Sequence, residues 1–423
     1  MTLTKDGYKN RLLDKKMKSK LNTFGAISIE GPKWSGKTWT MLNHAKSVSY
    51  LMDQETKILA EIDPTSALEG EHPHAIDEWQ VVPEIWDSVR FAVDQKPGRG
   101  QYLLTGSVTP PDSGRLHSGI GRISTVRMRT LSLFESGDST GEVSLADLLE
   151  GSHVKAGKSQ LELNDIIALA CKGGWPINLS ENVESIYEVA ADYLEKVIID
   201  NVYDDSANIQ RRDQRKFRMF MASLARSNAS LIKNTTIHNE VQKSAGEFSV
   251  KTLGSYLKYL RDIYLLEEIP GWYPGIRSKA RVLSSPKRFL TDPSLAVAAI
   301  KTTKEALKKD LATFGGIFEG LCLRDLLIYA DCNDSTVFHY RDNSQLEVDA
   351  IIEKDNQAWG AFEIKIGGKG SIEDGAKSLK RLRAKMVSSG SIEPACLVVL
   401  TASGIAMRRD DGVMVVPIGM LAD

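Results

Sequence analysis

The sequence predicts an α/β protein in three parts, from the way strand-like and helix-like patterns follow one another. Between residues 25 and 135, short apolar runs that suit β-strands alternate with helical stretches, which is typical of a parallel, doubly wound sheet. From about residue 142 to 269 the pattern is helical, and from about residue 287 strands and helices mix again. We therefore expect three domains, over residues 1–140, 141–285 and 286–423.

Composition and charge exclude several classes of protein. Of the 423 residues, 42% are hydrophobic and 26% charged, as expected for a soluble globular chain, and neither a membrane-spanning apolar run nor a secretory signal is present. The four cysteines have no CxxC spacing, so neither a disulfide framework nor a zinc site is indicated, and a cytoplasmic location is expected. With a net charge of −1, affinity for nucleic acid has to come from local patches such as the basic runs 211–218 and 377–385, whose ordinary interpretation is a solvated helix face.

The first part opens with a strand, a loop and a helix. The run 25–30 (GAISIE) is β-like, and helical propensity returns after the loop 31–38. Further strands and a closing segment are predicted at 56–62 (TKILAEI), 74–76, 101–105 (QYLLT) and 126–135 (VRMRTLSLFE).

The loop between that first strand and helix, GPKWSGKT, matches the phosphate-binding pattern GxxxxGK[ST] at every specified position. Gly31 and Gly36 permit a tight turn whose backbone N–H groups wrap phosphates at a helix N-terminus. Lys37 is expected to neutralise β- and γ-phosphate charge, and Thr38 to supply a hydroxyl ligand to Mg²⁺. The sequence therefore predicts ATP and Mg²⁺ as cofactors. The residues predicted to contact the nucleotide are Gly31, Pro32, Lys33, Trp34, Ser35, Gly36, Lys37 and Thr38.

An acidic pair after the strand at 74–76 supplies what nucleotide hydrolysis needs. Asp77 is expected to hold Mg²⁺ through water, and Glu78 to polarise the attacking water. The strand at 101–105 ends in small polar residues, of which Ser107 or Thr105 is the candidate for orienting water. Ordinary strand-end turn chemistry is the alternative for both.

Two arginines in the Gly-rich segment 114–123 are candidates for a transition-state contact. Arg115 or Arg122 is expected to reach the γ-phosphate of a neighbouring subunit as an arginine finger, in which case the protein forms homo-oligomers. A plain surface position is the equal alternative for each.

The middle part contains a candidate DNA-binding unit. The stretch 249–263 (SVKTLGSYLKYLRDI) begins with Ser and Thr residues typical of a helix start and has apolar residues at helical spacing. The segment 265–272 follows it in the position of a wing. This arrangement resembles a winged helix-turn-helix. A rigid spacer or a partner surface is the alternative. The residues that would face a DNA groove are Lys251, Tyr256, Lys258 and Tyr259.

Several short motifs follow one another along the chain. GPKWSGKT is followed by IDEWQVVP, YLLTGS, and the pair Gly121-Arg122 with LSLFE, and later by GGWP and YLEKVIIDNV. Their order and spacing resemble the prokaryotic AAA-like ATPases that carry a carboxy-terminal nuclease-like domain, over essentially the whole chain. The resemblance implies an AAA-like P-loop domain, a winged-helix region and an α/β restriction-endonuclease-like domain.

The last part carries the D…ExK arrangement that this resemblance leads one to expect. Asp349 lies in LEVDAIIE, and Glu363 and Lys365 alternate with apolar residues in AFEIKI, so both point to one face of their strand. With Glu319 on a predicted helix, Asp349 and Glu363 are expected to hold one or two Mg²⁺ ions, and Lys365 to orient or deprotonate the nucleophile. The alternative is a strand edge with an ordinary ion pair.

These motifs predict an ATP-hydrolysing protein whose nuclease-like domain acts on DNA or another nucleic acid. The alternative is an ATP-dependent switch or assembly protein in which that domain only binds DNA or a protein partner. A third hypothesis is a transcription-regulating ATPase that acts through its winged helix.

Overall fold

The structure is a computed structural model of the chain, and it describes residues 3–109, 118–179, 187–203, 213–274, 285–354 and 358–423. The chain folds as two compact units. The amino-terminal unit comprises Met1–Leu131 together with Tyr259–Leu265, and the carboxy-terminal unit comprises Ser132–Lys258 and Leu266–Asp423.

The helices and strands of the described residues are numbered in chain order. The α-helices are α1 Leu13–Leu21, α2 Lys37–His44, α3 Gln54–Ile62, α4 Ile85–Gln95, α5 Leu133–Ser136, α6 Leu145–Leu149, α7 Leu163–Lys172, α8 Glu188–Tyr203, α9 Gln214–Arg226, α10 Asn234–Ala245, α11 Val250–Asp262, α12 Pro293–Ala299, α13 Lys304–Lys309, α14 Leu311–Cys332 and α15 Lys369–Ser388. The strands are β1 Ala26–Glu30, β2 Ser47–Tyr50, β3 His74–Asp77, β4 Tyr102–Gly106, β5 Ile123–Arg127, β6 Val143–Ser144, β7 Gly157–Lys158, β8 Leu266–Ile269, β9 Lys287–Leu290, β10 Ser335–Arg341, β11 Glu347–Lys354, β12 Trp359–Lys365, β13 Cys396–Thr401, β14 Ile405–Arg408, β15 Met414–Pro417 and β16 Leu421–Ala422. Among the described helices, none has both the length and the apolar character needed to cross a membrane.

A five-stranded parallel sheet forms the amino-terminal unit, with the strand order β2-β3-β4-β1-β5. All five strands run the same way, and Arg127 of β5 pairs with Glu30 of β1. The carboxyl ends of the strands therefore meet at one edge, where Gly31 and Ser107 follow β1 and β4 and Asp77 ends β3. The predicted parallel sheet is confirmed.

Helices cover apolar residues on both faces of this sheet. On one face, Ile29 belongs to a buried cluster with Met41 of α2, and on the other, Leu104 belongs to a buried cluster with Val89 of α4. Burying one such side chain contributes about 1.5–3 kcal/mol to folding. The two clusters hold the strand ends in a constant arrangement.

One predicted strand of this unit is a helix. Residues 56–62 lie in α3, and the second strand is instead Ser47–Tyr50, paired with β3. The side chain of Asp53 accepts a hydrogen bond from the Thr56 amide (3.0 Å) and so caps the first turn of α3. The run is apolar enough for either structure, and the cap favours the helix.

The carboxy-terminal unit is built on a seven-stranded mixed sheet with the order β10-β11-β12-β13-β15-β14-β7. α14 leads into the antiparallel strands β10, β11 and β12, and α15 then leads into β13, which is parallel to β12. Leu379 of α15 is buried in one core with Ile351, Ala361 and Val399 of the sheet. This core holds β11 and β12 side by side.

The two units divide the chain at Leu131, earlier than the predicted boundary at residue 140. The segment from Ser132 onward joins the carboxy-terminal unit because its two short strands pair there, β6 with β16 and β7 with β14. The predicted boundary at residue 285 lies inside this same unit.

Three helices and a two-stranded sheet lie in and around the region predicted to be a winged helix. α9 and α10 precede α11, which covers most of the predicted 249–263 helix, and β8 pairs antiparallel with β9. The prediction that Tyr256 faces a DNA groove is wrong, because the apolar side of α11 turns this ring into the core. Lys251 and Lys258 are exposed, and the winged helix itself stays a prediction. The rings that contact Tyr256 are Phe217, Phe220 and Phe248.

A buried ionic network joins four segments of the carboxy-terminal unit. Arg324 Nε donates to Asp325 Oδ1 (2.8 Å), and Arg324 Nη1 donates to Asp292 Oδ2 (3.4 Å). Asp292 also accepts from the amide of Gly174 in GGWP (2.9 Å), and Asp325 accepts from the amide of Leu133 in LSLFE (3.0 Å). All three charged side chains are buried, so removing one partner would cost about 3–5 kcal/mol. GGWP and LSLFE therefore have a structural role.

Candidate functional site

The predicted phosphate-binding loop begins directly after β1 and ends in the first turn of α2. Gly36 precedes α2 with a φ of 95°, a left-handed conformation that favours glycine. A Cβ added to Gly31 would lie 2.1 Å from the carbonyl oxygen of Met128, so only glycine fits there. The loop therefore leads into a helix N-terminus whose first N–H groups are available to an anion.

The middle of the loop is braced from two sides. Ser35 is buried and its hydroxyl donates to the Pro32 carbonyl (2.9 Å), while Lys33 and Trp34 are exposed. Arg11 donates from the amino-terminal segment to the carbonyl of Ser35 (3.0 Å). The role of Arg11 is not evident from the sequence, because a single arginine in a basic segment carries no recognisable pattern.

Lys37 lies inside the loop and is held by neutral partners. Its Nζ donates to the carbonyl oxygens of Gly31 (3.0 Å) and Pro32 (2.9 Å). Burial lowers the pKa of Lys37 to about 8, although the nearby carboxylates of Glu78 and Asp77 act in the opposite direction. The ammonium group is thus a desolvated cation, and its described hydrogen bonds go to neutral carbonyl oxygens.

Asp77 lies between two threonine hydroxyls at the carboxyl end of β3. Thr38 Oγ1 donates to Asp77 Oδ1 at 2.9 Å, and Thr105 Oγ1 donates to the same oxygen at 2.6 Å. Burial raises the pKa of Asp77, and the two hydroxyl hydrogen bonds work against that rise. The Thr38 hydroxyl and the Asp77 carboxylate are hard oxygen donors of the kind that Mg²⁺ prefers.

Glu78 is fixed by the strand end next to it. Its backbone has a φ of 57°, and its amide donates to Thr105 Oγ1 (2.9 Å). Its carboxylate accepts from Ser107 Oγ (2.7 Å) and from the side-chain amide of Gln80. Thr105 and Ser107, the two predicted alternatives, therefore both contact this acidic pair. Gln80 was not predicted, because it lies in the turn after the acidic pair.

The predicted arginine fingers have different positions. Arg115 lies outside the described residues. Arg122 directly precedes β5 and so lies at the amino ends of the parallel strands, whereas the loop lies at their carboxyl ends. Its Nε donates to Asp94 Oδ1 (2.7 Å). Arg122 is thus a strand length away from the loop of its own chain, and a role toward a neighbouring subunit stays a prediction. Arg127, at the other end of β5, lies at the same sheet edge as the loop.

In the carboxy-terminal unit, Glu319, Asp349, Glu363 and Lys365 come together around a further lysine. Lys365 Nζ lies 2.5 Å from Glu363 Oε2 and 3.5 Å from Asp349 Oδ2. Lys287 Nζ, from β9, lies 2.6 Å from Glu319 Oε1 and 3.3 Å from Asp349 Oδ1. The two ammonium groups thus lie among the carboxylates of the cluster, and Asp349 contacts both of them. Lys287 was missed because it is far from the others in sequence.

The charges of this cluster depend on one another. Burial acts to lower the pKa of Lys287, but Asp349 and Glu319 outweigh it and hold that pKa above its ordinary value. Burial acts to raise the pKa of Asp349, but Lys287 and Lys365 hold it below its ordinary value. For Glu319 and Glu363, burial and the charge of Asp349 raise the pKa. The two lysines and Asp349 are therefore favoured in their charged forms, whereas Glu319 and Glu363 are shifted toward their protonated forms.

The cluster does not fit a divalent metal ion as it stands. Within the described ranges, no group of three or more His, Cys, Asp and Glu side chains is arranged to hold a metal ion. The ammonium group of Lys287 bridges Glu319 and Asp349, and a dication on the same oxygens would meet its positive charge at close range. The geometry therefore gives the predicted metal role of Glu319, Asp349 and Glu363 no support.

The basic run 377–385 lies on α15, and part of its charge is neutralised. The pairing favours a solvated helix face over a phosphate-binding surface. The other run, 211–218, begins with residues outside the described ranges. The pairs on α15 include Lys380–Asp411 at 2.8 Å and Lys385–Asp342 at 2.5 Å.

Three protein-family models match separate parts of the chain. A family described as an AAA domain matches residues 23–136. Two families described as domains of unknown function match the rest, DUF8612 over residues 163–306 and DUF4143 over residues 314–421.

Two mycobacterial proteins are similar to most of the chain. They are the uncharacterized protein Rv2008c of Mycobacterium tuberculosis (strain ATCC 25618 / H37Rv) and the uncharacterized protein Mb2031c of Mycobacterium bovis (strain ATCC BAA-935 / AF2122/97). Each is 22% identical over 369 residues, which is 86% of this chain and 75% of the relative.

Solved structures show a distant likeness. The Walker-type ATPase PABY2304 of Pyrococcus abyssi is 12% identical, with 70% of this chain and 97% of that chain covered and a TM-score of 0.43. The replication initiator DnaA bound to AMPPCP and single-stranded DNA is 13% identical, with 60% and 89% covered and a TM-score of 0.28. The RuvB Holliday junction branch migration motor of Thermotoga maritima is 16% identical, with 73% and 97% covered and a TM-score of 0.29. At these TM-scores the likenesses carry no argument about function.

The AAA match, the parallel sheet and the loop sequence agree with one another. The matched residues 23–136 include all five strands of the sheet, the loop and the acidic pair after β3. The amino-terminal unit therefore has an AAA-like P-loop fold.

Proposed function

We propose that this protein binds ATP together with Mg²⁺ and hydrolyses it to ADP and phosphate. The observation that carries the proposal is the contact between Thr38 and Asp77. The hydroxyl and the carboxylate that would ligate Mg²⁺ lie 2.9 Å apart, at the end of β3 and beside the phosphate-binding loop. Two segments far apart in sequence thus meet where the proposal requires a triphosphate and its metal ion.

The loop and Lys37 would hold the phosphates. The N–H groups at the start of α2 offer hydrogen bonds and a favourable helix dipole to an anion. Lys37 exchanges its bonds to the carbonyls of Gly31 and Pro32 for bonds to phosphate oxygens, a stronger interaction because both groups are charged. Binding therefore gains from a cation that is already desolvated.

Glu78 would activate the attacking water. Thr38 and Asp77 would hold Mg²⁺, which when bound neutralises charge on the phosphate oxygens. The Glu78 carboxylate accepts a proton from the water, and Ser107 and Gln80 keep it in one orientation. Thr105 links the metal-binding and water-activating residues, since its hydroxyl contacts both Asp77 and Glu78.

We propose that either Arg115 or Arg122 is an arginine finger that acts on a neighbouring subunit, which requires a homo-oligomer. The support is their place in the sequence after Ser107, which follows β4.

Two substitutions separate binding from hydrolysis. Glu78→Gln keeps the shape of the side chain but removes the base, so nucleotide binding is retained and hydrolysis falls by about 100-fold or more. Lys37→Ala removes binding. The matched control is Glu84→Gln, because Glu84 is an exposed glutamate that also follows β3. This variant retains both binding and hydrolysis. If Glu78→Gln and Lys37→Ala both hydrolyse ATP like the parent, the proposal is wrong.

For the carboxy-terminal unit, we propose binding of DNA or of a protein partner without cleavage of nucleic acid. The order α14-β10-β11-β12-α15-β13, with Asp349, Glu363 and Lys365 on adjacent strands, supports a restriction-endonuclease-like fold. The observation that favours binding over cleavage is Lys287, whose ammonium group bridges Glu319 and Asp349.

Incubation of plasmid and single-stranded DNA with the protein and Mg²⁺ or Mn²⁺ tests this part of the proposal. We expect both DNAs to stay intact while the ATPase remains active. Cleavage that is lost in Asp349→Ala and in Lys365→Ala would instead establish a nuclease.

A further inference from the structure

Tyr264 joins the strand ends that carry the ATP site. Its hydroxyl donates to Glu30 Oε2 at 2.7 Å, and Glu30 is the residue immediately before Gly31 of the loop. The same hydroxyl accepts from Thr109 Oγ1 at 2.9 Å, and Thr109 follows closely on Ser107. The Tyr264 hydroxyl therefore contacts two segments. One is the end of β1, which leads into the phosphate-binding loop, and the other is the chain just after β4.

Arg127 holds Tyr264 from a third strand. Its guanidinium group stacks over the Tyr264 ring, 4.2 Å from the ring centroid, and its Nη2 donates to the Tyr264 carbonyl at 3.1 Å. Arg127 also pairs with Glu30 in the register of β1 and β5. The ring and the backbone of Tyr264 are thus fixed relative to the same residue that its hydroxyl contacts.

The backbone of Tyr264 shows that its position is set by these surroundings. Its φ is 64°, in the left-handed region that a tyrosine rarely adopts, and its side chain is buried. Such a conformation persists only where neighbouring contacts stabilise it, and residues of this kind concentrate at functional sites. Burial also raises the pKa of the hydroxyl, which therefore remains a hydrogen-bond donor to Glu30.

The segment that carries Tyr264 comes from a distant part of the chain. Tyr259–Leu265 is grouped with Met1–Leu131, although the chain on both sides of it belongs to the carboxy-terminal unit. It includes the last residues of α11, and the amide of Thr109 donates to the carbonyl of Asp262 at 2.8 Å. The end of α11 is thus tied to the strand ends by Tyr264 and by Asp262.

We propose that Tyr264 is a positioning residue that couples nucleotide occupancy of the loop to the end of α11. The inference rests on the proposed ATP binding. Bound phosphate holds the loop, and with it Glu30, in one arrangement, and the Tyr264 hydroxyl passes that restraint to Tyr259–Leu265. Because binding linkage is reciprocal, ordering of this segment favours nucleotide binding by the same factor by which nucleotide favours ordering of the segment.

Hydrogen exchange of the amides in Tyr259–Leu265 tests the coupling in the full chain. The comparison is made without nucleotide and with Mg²⁺ plus ADP or a β,γ-methylene analogue of ATP. In the parent protein we expect nucleotide to slow exchange of this segment by about tenfold, within the usual range of coupling between two sites. Tyr264→Phe, which removes only the hydroxyl, abolishes this protection while nucleotide still binds.

Tyr102→Phe is the matched control, because Tyr102 is a buried tyrosine of the same sheet and lies on β4 away from the loop. It retains the nucleotide-dependent protection. Glu30→Gln weakens the same hydrogen bond from the other side with the tyrosine intact, and the double variant Glu30→Gln/Tyr264→Phe shows no further loss, as expected for two residues of one interaction.

If nucleotide slows hydrogen exchange of Tyr259–Leu265 equally in Tyr264→Phe and in the parent protein, the inference is overturned. If Tyr264→Phe does not fold, undiminished protection in Glu30→Gln overturns it as well. A parent protein that binds none of these nucleotides overturns the proposed function and the inference together, and that result is distinct because it is seen in binding before any variant is made.

Discussion

Among the residues that the structure describes, two lysines are buried, and the partners of their ammonium groups differ. Lys37 of the phosphate-binding loop donates to two neutral backbone carbonyls. Lys287 of the carboxy-terminal cluster contacts the carboxylates of Glu319 and Asp349. Burial lowers the pKa of Lys37 to about 8, whereas the surrounding carboxylates hold the pKa of Lys287 above its ordinary value.

This difference between the partners of Lys37 and Lys287 determines how each lysine would interact with an added ion. A desolvated cation next to neutral carbonyls gains strongly when a phosphate arrives, because its charge is not yet matched by a direct partner. A cation that already bridges two carboxylates has little to gain from a new anion, and it neutralises the oxygens that a metal ion would need. Lys37 would therefore gain a charged partner if phosphate bound, as the proposed function requires. Lys287 already has charged partners within the protein.

The largest expected effect is on stability. Lys287→Ala leaves buried carboxylates without their counter-ion and lowers the free energy of unfolding by about 3–5 kcal/mol at neutral pH. Lys37→Ala leaves only two carbonyls, and without nucleotide it changes the free energy of unfolding by about 1 kcal/mol or less. Urea unfolding measures both, and hydrogen exchange of β1 and β11 amides assigns each change to its unit. Equal losses in the two variants would remove the contrast.

The next effect concerns divalent cations. Lys287→Met retains much of the apolar stem but frees the oxygens of Glu319 and Asp349 for a metal ion. We expect Mn²⁺, without nucleotide, to raise the melting temperature of this variant by roughly 3 °C or more relative to its effect on the parent. The parent is the control, since it contains the same Thr38 and Asp77. An equally large shift in the parent would mean that Lys287 does not block the cluster.

A smaller effect is the pH dependence of nucleotide binding. The pKa of Lys37 is about 8 in the free protein, and bound phosphate raises it. Below pH 8 the lysine is protonated in both states and affinity is constant, whereas above pH 8 binding takes up a proton and the Kd weakens by up to about tenfold per pH unit. Calorimetry in two buffers of different ionisation enthalpy measures this uptake. Affinity that stays constant up to pH 10 would contradict the assignment.

The smallest expected effect is that of an exposed pair. Arg122 and Asp94 are both partly exposed, so Arg122→Ala changes the free energy of unfolding by less than about 1 kcal/mol. Asp94→Asn breaks this pair and the exposed Arg90–Asp94 pair (3.4 Å), and it also changes the free energy of unfolding by about 1 kcal/mol or less. A loss of ATP turnover in Arg122→Ala that Asp94→Asn does not share, at a protein concentration that supports oligomers, would indicate an arginine finger.

Local patterns were sufficient to predict the first half of the proposed ATP site. The loop from Gly31 to Thr38 is contiguous, and its two glycines, lysine and threonine specify a turn and a helix start without reference to the rest of the chain. Asp77 and Ser107 could be added because the ends of parallel strands lie at one edge. Periodicity did not distinguish strand from helix at 56–62, where a single cap at Asp53 is important.

What the sequence by itself determined is therefore the parallel sheet, the phosphate-binding loop and the identity of the charged residues near its end. Only the tertiary structure decided that Lys287 lies between Glu319 and Asp349, that Tyr256 is in a core, and that Tyr264 contacts Glu30. The physical reason is that a loop or a helix cap is an interaction among neighbours in the chain, whereas the partner of a buried charge or hydroxyl is chosen by packing between segments that the sequence leaves far apart.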